Sequence, residues 1–541
     1  MRTIEDWDVL ADLGIPVVGL ECTPSDRAFI FAAFQQKAIE RDLPLYYWNS
    51  GYTALQGVEV EGKQYRLSPT ELILKDGDIL QWLLEEERTG IFLLDDLTDF
   101  TQLEAKELSR LESQIQNVGD RYRFSPTPCY SVLLGSYLQF GNKLEGLEIL
   151  TYTLPDAKEV RAIVEAFCQQ RGLEADSPAS RQRLAVSCRG LARGAIASAL
   201  QRYAALTPHL DTLSKAMLEY KTNRLRGLGL EFIAEPDVPT AGGLDLLQRF
   251  LTEKVVKLNE PSARQYGLRP PRGMLLLGPP GTGKTLSAKL AAKALGYSLL
   301  ALSWGNVLGS DNPDRTLAGI LATADALDKV ILLADDFDKG FTGWEAGGAS
   351  RRLSQRLLTW MQEHDSDAML VATVNRIQLL PAELKRRFDD GGIWFVDLPQ
   401  MGAMYEIFRV HLQKYFPTQF GERREPWGDR EWYRLLKAYR GATPVEIARA
   451  VERCAVDFYC GLGEEERIRG KIEARIDIEA LHGQLNEFVM ASKRDAEELQ
   501  AIRNKAYYCR AASSPDRSRF ALSEQELFEY SPHQFEENSG L

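Results

Sequence analysis

The stretch that decides the fold lies near the middle of the chain and reads Gly278-Pro279-Pro280-Gly281-Thr282-Gly283-Lys284-Thr285. An apolar run at 273–277 predicts a buried strand before it, and the Ala-, Leu- and Lys-rich run 286–295 predicts a helix after it. Glycines at such a junction let several backbone N–H groups point at one anion. The stretch therefore predicts a phosphate-binding loop, with Lys284 at the β- and γ-phosphates of a nucleoside triphosphate and the Thr285 hydroxyl on Mg²⁺. The alternative, a glycine turn inside the core, would bury a lysine without an anion, at a high free-energy cost.

Composition and charge exclude several classes of protein. The 541 residues, 44% of them apolar, allow about three or four domain-sized globular units. Lys and Arg number 65 against 77 Asp and Glu, and the resulting charge of −12 disfavours a nucleic-acid partner. No apolar run reaches the length of about 18 residues that a membrane span requires, and the acidic start has no secretory signal, so we expect a cytoplasmic protein. The seven scattered cysteines predict reduced, buried thiols rather than a metal site.

The first part of the chain alternates between apolar runs and helical stretches, which predicts a mostly parallel sheet. Its first turn, 21–26, has neither a glycine-rich loop nor a lysine for phosphate. From 156 to about 232 the pattern is purely helical. The strands are predicted at 15–20, 43–48, 90–94 and 130–135, and the helices at 24–41 and 102–116.

The second half repeats this organisation. In each half one strand ends in two aspartates, Asp95-Asp96 or Asp335-Asp336, a later strand ends in Leu-Pro, and an Arg-Gly pair precedes a further helix. We infer two copies of an α/β core with a helical lid, of which only the second has a phosphate loop; coincidence among common α/β patterns is the alternative. Asp95 and Asp96, without such a loop, are interpreted as solubilising residues.

The predicted domain boundaries follow from this repeat and from a polar linker at 234–243. They are 1–155 for an α/β domain without a phosphate loop, 156–235 for a helical lid-like domain and linker, 236–400 for the α/β core with the loop, 401–510 for its helical lid and C-terminal helices, and 511–541 for a polar, partly disordered tail.

Polar residues at neighbouring strand ends supply the predicted chemistry. Asp335 follows the apolar run 330–334 and is placed to bind Mg²⁺. Asp336 is the candidate to orient or deprotonate the attacking water. Asn375, which follows the next apolar run, would bridge the γ-phosphate and the water; a turn-forming asparagine is the alternative.

Arg386 and Arg387 form a basic cluster before Phe388. The residues alone favour a solvated helix end, where positive charge complements the helix dipole. The alternative is an arginine finger that reaches the γ-phosphate of a neighbouring subunit.

The motifs GPPGTGKT, LLADDFD, ATVNR and LPAELKRRFDD resemble, in order and spacing, those of an AAA ATPase module over 236–460. More narrowly, 242–245, 338–343, 358–363 and 491–513 resemble an AAA family encoded as a hypothetical reading frame in red-algal plastids and in cyanobacteria. The resemblance implies a degenerate AAA-like N-terminal half and a link to photosynthesis and inorganic-carbon use. It also implies an oligomeric ring, most simply a hexamer, in which 278–286, including Leu286, binds ATP and Arg386 or Arg387 acts in trans.

The chain departs from the AAA pattern at several places. Asp336 replaces the usual glutamate, and the missing methylene withdraws its carboxylate by roughly 1.5 Å, which predicts slow hydrolysis. The loop after Ser303 offers Val307 and Leu308 where substrate-gripping loops carry an aromatic residue, and Trp304 is predicted to belong to the core. The lid turn 441–444 has neither the acidic residue nor the arginine found in many relatives.

The leading hypothesis is an AAA ATPase that binds and slowly hydrolyses Mg-ATP in a ring and remodels or regulates a protein partner. The rival hypothesis is an ATP-binding regulatory scaffold with little hydrolysis, which the Asp336 substitution favours.

Overall fold

The computed structural model describes residues 3–61, 64–74, 78–97, 105–136, 138, 140, 142–144, 146–173, 178–207, 209–227, 229–233, 242–327, 329–341, 349–421, 424–462 and 475–523. The chain divides into two compact units. Unit 1 comprises 1–228 and 310–327, and unit 2 comprises 229–309 and 328–541. The predicted linker 234–243 lies outside the described residues, apart from Gly242 and Gly243.

Unit 1 contains a seven-stranded sheet in the order β4-β3-β2-β5-β6-β1-β7. Strands β1, β2, β5, β6 and β7 are parallel, and β3 and β4 form an antiparallel hairpin at one edge. The sequence pattern did not predict this hairpin, because it lacks a long apolar run and contains Pro69, a residue suited to an edge strand. In chain order, strands β1 to β7 are Val17–Glu21, Leu45–Trp48, Ala54–Glu61, Gln64–Ile73, Gly90–Leu94, Cys129–Gly135 and Glu148–Thr151.

Helices flank this sheet and then form a separate helical bundle. The bundle packs around buried apolar side chains, among them Phe167, Ile196 and Met217. Its first helix begins with a capping box at Asp156 and ends at Gly172 in the left-handed conformation. The helices of unit 1 are Trp7–Asp12, Arg27–Glu40, Ile79–Glu85, Ala105–Tyr122, Ala157–Arg171, Pro178–Cys188, Arg193–Ala204, Leu210–Gly227 and Pro313–Leu327.

Unit 2 contains a second seven-stranded sheet, in the order β14-β13-β9-β12-β11-β10-β8. All of its strands are parallel except β8, so the predicted parallel α/β fold is confirmed. The prediction of helix up to 232 is wrong at its end, where β8 pairs with the edge of this sheet. In chain order, strands β8 to β14 are Leu230–Phe232, Gly273–Leu277, Ser298–Leu302, Val330–Ala334, Met369–Val374, Ile393–Phe395 and Arg510–Ala511.

The five core strands follow one order in both sheets. Numbered along the chain within each unit, they lie as 5-1-4-3-2, which is β7-β1-β6-β5-β2 in unit 1 and β13-β9-β12-β11-β10 in unit 2. In both units the first core strand therefore lies between the fourth and the fifth. The first, third and fourth core strands are therefore neighbours in each unit. The residues that follow them meet at the C-terminal ends of the strands.

The helices of unit 2 flank its sheet and build a lid. The lid encloses a large aromatic core that includes Phe408, Trp432 and Tyr439. The helices around the sheet are Asp245–Arg249, Phe250–Val255 (a π-helix), Val256–Leu258, Pro261–Gln265, Lys284–Leu295, Trp304–Leu308, Ala349–Glu363 and Ala382–Arg387. Those that follow are Met401–Tyr415, Asp429–Ala438, Pro444–Gly461, Ile478–Gln484, Ala491–Arg494 and Ala496–Lys505.

The C-terminal segment corrects the prediction of a disordered tail from 511. Strand β14 extends the sheet, and Ala512 is fully buried behind it. Asp516 then accepts a hydrogen bond of 2.8 Å from the backbone N–H of Gly402, and Phe520 is buried in the lid core. Two apolar anchors within a polar stretch give no periodic signal, so the composition was misleading. Residues 524–541 lie outside the described part of the chain.

Two further expectations concern membranes and thiols. Among the described residues, every helix is too short or too polar to cross a bilayer. All seven cysteines are free thiols, as predicted, and Cys129, Cys168, Cys188 and Cys454 are buried. Cys460 is exposed, so burial does not hold for every thiol.

Phe520 should anchor the C-terminal segment to the lid. We expect Phe520→Ala to lower the free energy of unfolding by about 3 kcal/mol, because it leaves a cavity in the lid core. Urea denaturation measures the change. Tyr507→Ala is the control, since Tyr507 is 86% exposed, and it should change stability by less than about 0.5 kcal/mol. Equal effects of the two substitutions would show that the segment is not anchored.

Candidate functional site

The phosphate-loop sequence folds as predicted between a strand and a helix. Strand β9 ends at Leu277 and the helix Lys284–Leu295 begins seven residues later, so Thr285 and Leu286 lie in its first turn. Gly281 and Gly283 adopt φ angles of +81° and +96°, a backbone region that favours glycine. The Thr282 hydroxyl donates a 2.9 Å hydrogen bond to the carbonyl of Pro279 and closes the loop upon itself.

Lys284 is buried at the centre of the site, with 7% of its surface exposed. Its ammonium donates hydrogen bonds to the carbonyl oxygens of Gly278 at 2.6 Å and Pro279 at 2.8 Å, and to Asn375 Oδ1 at 2.8 Å. Burial lowers the pKa of Lys284 to about 8, although nearby carboxylates, Asp335 foremost, act in the opposite direction. The lysine is therefore a cation held in a desolvated place, where an anionic ligand would stabilise its charge.

The two residues predicted to hold Mg²⁺ are in contact. The Thr285 hydroxyl donates to Asp335 Oδ2 at 3.1 Å, and the Thr373 hydroxyl donates to the other carboxylate oxygen. A hydroxyl and a carboxylate are oxygen donors of the kind that Mg²⁺ prefers, with phosphate oxygens and water completing its shell. The donor set therefore fits a magnesium ion that arrives with a nucleotide.

Asp336 has an uncommon backbone conformation. Its φ angle is +49°, and its N–H donates to the Thr373 hydroxyl at 3.0 Å. Its carboxylate accepts from Lys339 Nζ at 2.6 Å and, weakly, from Asn375 Nδ2 at 3.4 Å. Asn375 Oδ1 also accepts a hydrogen bond from Lys284. The structure therefore joins Lys284, predicted to bind phosphate, with Asn375 and Asp336, predicted to position water, in one chain of contacts.

Asp338 and Lys339 lie in the 3₁₀ turn Phe337–Phe341, and both also contact the site. The side chain of Asp338 is 2% exposed and accepts from Arg376 Nε at 3.3 Å. It also accepts from the backbone N–H of Asn375 at 3.4 Å. Sequence reasoning missed Asp338 and Thr373 as supports of the site. The position of Thr373, opposite Asp335 on the neighbouring strand, was the available signal.

The lid of unit 2 reaches the phosphate loop. A Cβ atom placed on Gly281 would lie 3.4 Å from the Thr443 hydroxyl oxygen, so the turn 441–444 lies beside the loop. Thr443 caps the helix Pro444–Gly461 and forms a capping box with Glu446.

Two further predictions concern exposed and buried side chains. Arg386 and Arg387 are exposed at the end of the helix Ala382–Arg387. Within the described part of the chain, neither side chain makes an ion pair or hydrogen bond. Trp304 is buried against Phe337 and Phe341, so its predicted place in the core is confirmed. Val307 is also buried and therefore cannot grip a substrate.

In unit 1, side chains of the unit itself occupy the C-terminal ends of the strands, the position that the phosphate loop has in unit 2. Arg27 begins the helix after β1, as Lys284 does after β9, and forms an ion pair with Asp95. Asp95 also accepts from the Tyr47 hydroxyl at 3.1 Å, and its side chain is only 17% exposed. The interpretation of Asp95 as a solubilising residue is therefore wrong. A cavity of about 30 Å³ remains beside this pair, which is far below the roughly 300 to 1,000 Å³ of typical ligand pockets.

The loop of unit 1 is also bonded to its own helical bundle. Asp26 is fully buried and accepts a 2.8 Å hydrogen bond from the backbone N–H of Gly194. A Cβ atom on Gly194 would lie 1.6 Å from the carbonyl oxygen of Ser25, so only glycine permits this approach. Burial raises the pKa of Asp26, an effect that the N–H of Gly194 and the Thr23 hydroxyl oppose.

Comparison with known proteins agrees with this geometry. Residues 274–391 match the model of the "ATPase family associated with various cellular activities (AAA)". The "Uncharacterized AAA domain-containing protein ycf46" of Trieres chinensis is 28% identical over 432 residues, which cover 78% of this chain and 83% of that protein.

Further similarities cover a smaller share of this chain. The "Proteasome-activating nucleotidase" of Saccharolobus solfataricus is 32% identical over 201 residues, which cover 34% of this chain and 50% of that protein. The crystal structure of the FIGL-1 AAA domain aligns with a TM-score of 0.42 at 18% identity, over 54% of this chain and 95% of that one. The predicted resemblance to AAA proteins, and to the plastid reading-frame family among them, is confirmed.

The lowered pKa of Lys284 predicts a pH dependence of nucleotide affinity. Phosphate favours the ammonium form, so above a pKa of about 8 the free protein must take up a proton to bind. We expect ATP to bind about tenfold more weakly near pH 9 than near pH 7, as calorimetric titration would show. Lys284→Arg is the control, because a guanidinium stays charged in this range and its profile should be flat. If the wild type bound ATP with equal affinity at both pH values, this would contradict the assignment of Lys284 to the phosphates.

Proposed function

We propose, from the premise that residues 274–391 form an AAA domain, that the chain is an ATPase that holds Mg-ATP between the core and lid of unit 2. The observation that carries this proposal is the chain of contacts from Lys284 through Asn375 to Asp336, beside the phosphate loop. Each residue in it is a type that phosphoryl transfer requires. The fold supplies the geometry, because the first, third and fourth core strands end side by side.

In the proposed reaction Lys284 exchanges the carbonyls of Gly278 and Pro279 for phosphate oxygens. Thr285 and Asp335 would hold Mg²⁺, which would supply positive charge beside the phosphates. Asn375 orients a water molecule, and Asp336 accepts its proton as the oxygen attacks the γ-phosphorus and the bond to the β-phosphate oxygen breaks. The short side chain of Asp336, already engaged by Lys339, supports slow turnover.

The ring assembly belongs to the same proposal. Arg386 and Arg387 are exposed and make no side-chain bonds within the described chain, which suits arginine fingers that act on a neighbouring subunit. We favour a homo-hexamer that remodels or regulates a protein partner. The similarity to a proteasome-activating nucleotidase supports a protein partner. A role in photosynthesis or inorganic-carbon use stays a prediction from the resemblance to the plastid reading-frame family. The cytoplasm remains the proposed compartment.

Unit 1 is proposed to be a degenerate AAA-like core and lid that binds no nucleotide. The shared strand order supports common architecture, with domains divided as the sequence predicts. The Arg27–Asp95 ion pair fills the place where phosphate would lie, and Asp26 bonds the loop to the helical bundle without a ligand. Such a unit would recognise the partner or pack the ring.

Titration with Mg-ATP tests the proposal. We expect one nucleotide per chain in the wild type, none in Lys284→Ala, and turnover only in the wild type, because the buried ammonium is the main attraction for the phosphates. Calorimetry and phosphate release measure the two quantities. Lys289→Ala, a lysine on the same helix, is the matched control and should behave as wild type. Two bound nucleotides per chain, or undiminished turnover in Lys284→Ala, would refute the proposal.

The second candidate function is an ATP-gated scaffold that hydrolyses little, and the ion pair between Asp336 and Lys339 favours it. Asp336→Glu separates the two functions through the kcat of phosphate release. For the ATPase we expect kcat to fall, because a longer side chain no longer suits the left-handed backbone at this position. A gain of about tenfold or more would instead indicate a switch kept slow by its short carboxylate.

A further inference from the structure

Thr373 lies beneath both carboxylates of the site. It is fully buried on strand β12, and the pairing of Ala334 with Ala372 places it opposite Asp335. Its hydroxyl hydrogen goes to Asp335 Oδ1, and its oxygen accepts the N–H of Asp336 at 3.0 Å. One hydroxyl therefore uses its donor on the first aspartate and an acceptor site on the second.

The two bonds of Thr373 have different consequences. The bond to Asp335 Oδ1 fixes the rotation of that carboxylate and leaves Oδ2 directed at Thr285. The bond from the N–H of Asp336 satisfies a backbone donor in a left-handed turn with φ +49°. That turn sets where the short Asp336 side chain points.

Unit 1 shows the same turn without the hydroxyl. Asp96 is also left-handed, with φ +63°, but the pairing of Leu94 with Leu133 places Leu134 opposite Asp95. The N–H of Asp96 donates instead to Asp95 Oδ1 at 3.1 Å. Where a hydrocarbon side chain replaces Thr373, the first carboxylate is thus engaged by the next residue of its own chain.

We propose that Thr373 is a positioning residue for ATP hydrolysis, which keeps Asp335 directed at the magnesium site and Asp336 aimed at the attacking water. The inference rests on the proposed function of unit 2. It assigns no contact between Thr373 and the nucleotide, so its effect should fall on kcat and on the use of Mg²⁺. Nucleotide affinity in the absence of the metal should be spared.

Two substitutions separate positioning from packing. Thr373→Val keeps the shape of the side chain and removes both bonds, and we expect kcat to fall about tenfold or more while KM stays within about threefold. Thr373→Ser keeps the hydroxyl and should retain wild-type kcat within about threefold. Thr323→Val is the matched control, since Thr323 is a buried threonine whose hydroxyl donates to the carbonyl of Gly319 at 2.7 Å.

Three outcomes would overturn the proposal. The first is a wild-type kcat in Thr373→Val. The second is an equal loss in Thr373→Ser and Thr373→Val. The third is an affinity for a non-hydrolysable ATP analogue, measured in EDTA, that falls together with kcat, since this would indicate a structural role only.

A metal-dependent binding measurement keeps this inference separate from hydrolysis itself. If wild-type turnover does not exceed that of Lys284→Ala, the proposed ATPase fails. The effect of Thr373 on Asp335 is then measured as the increase in affinity for the analogue when Mg²⁺ is added. A tightening lost in Thr373→Val and kept in Thr373→Ser supports the inference, and one that is equal in both variants overturns it.

Discussion

The site of unit 2 depends on a lysine ammonium kept away from water. Lys284 is held by two loop carbonyls and the amide oxygen of Asn375, and burial depresses its pKa. These neutral acceptors stabilise the charge only in part, since a full counter-ion would restore more of what desolvation removes. We propose that a triphosphate supplies that charge. The glycine loop and the strand order place Asp335, Asp336 and Asn375 around the same point.

The two units show one architecture with opposite solutions to that electrostatic problem. In unit 1 a cation at the start of the equivalent helix, Arg27, is neutralised by Asp95 from the same chain. Because that ion pair is internal, we expect the unit to need no ligand, and a buried aspartate joins the loop to its bundle. In unit 2 the carboxylate nearest the loop is instead bonded to Thr285 and Thr373. The hydrogen bonds described for the Lys284 ammonium go to neutral oxygens. Nucleotide dependence is accordingly expected in one unit alone.

The sequence predicted the features that rest on local patterns. The glycine loop, the apolar strands before the aspartates and the buried Trp304 are visible in short windows. Thr373 escaped notice because its role arises from register between two strands distant in sequence. The hairpin β3–β4, the edge strand β8 and the C-terminal segment that ends at Phe520 also escaped. Each is short or polar and is stabilised by an existing sheet edge or core, so tertiary contact decides its structure.

The most direct test is a structure of the full chain determined with Mg²⁺ and a non-hydrolysable ATP analogue. We predict that the triphosphate binds residues 278–285 and that the ammonium of Lys284 moves from the carbonyls of Gly278 and Pro279 to the phosphates. We also predict an intact Arg27–Asp95 ion pair in unit 1. An unoccupied phosphate loop, or an analogue bound beside Arg27, would contradict the proposal.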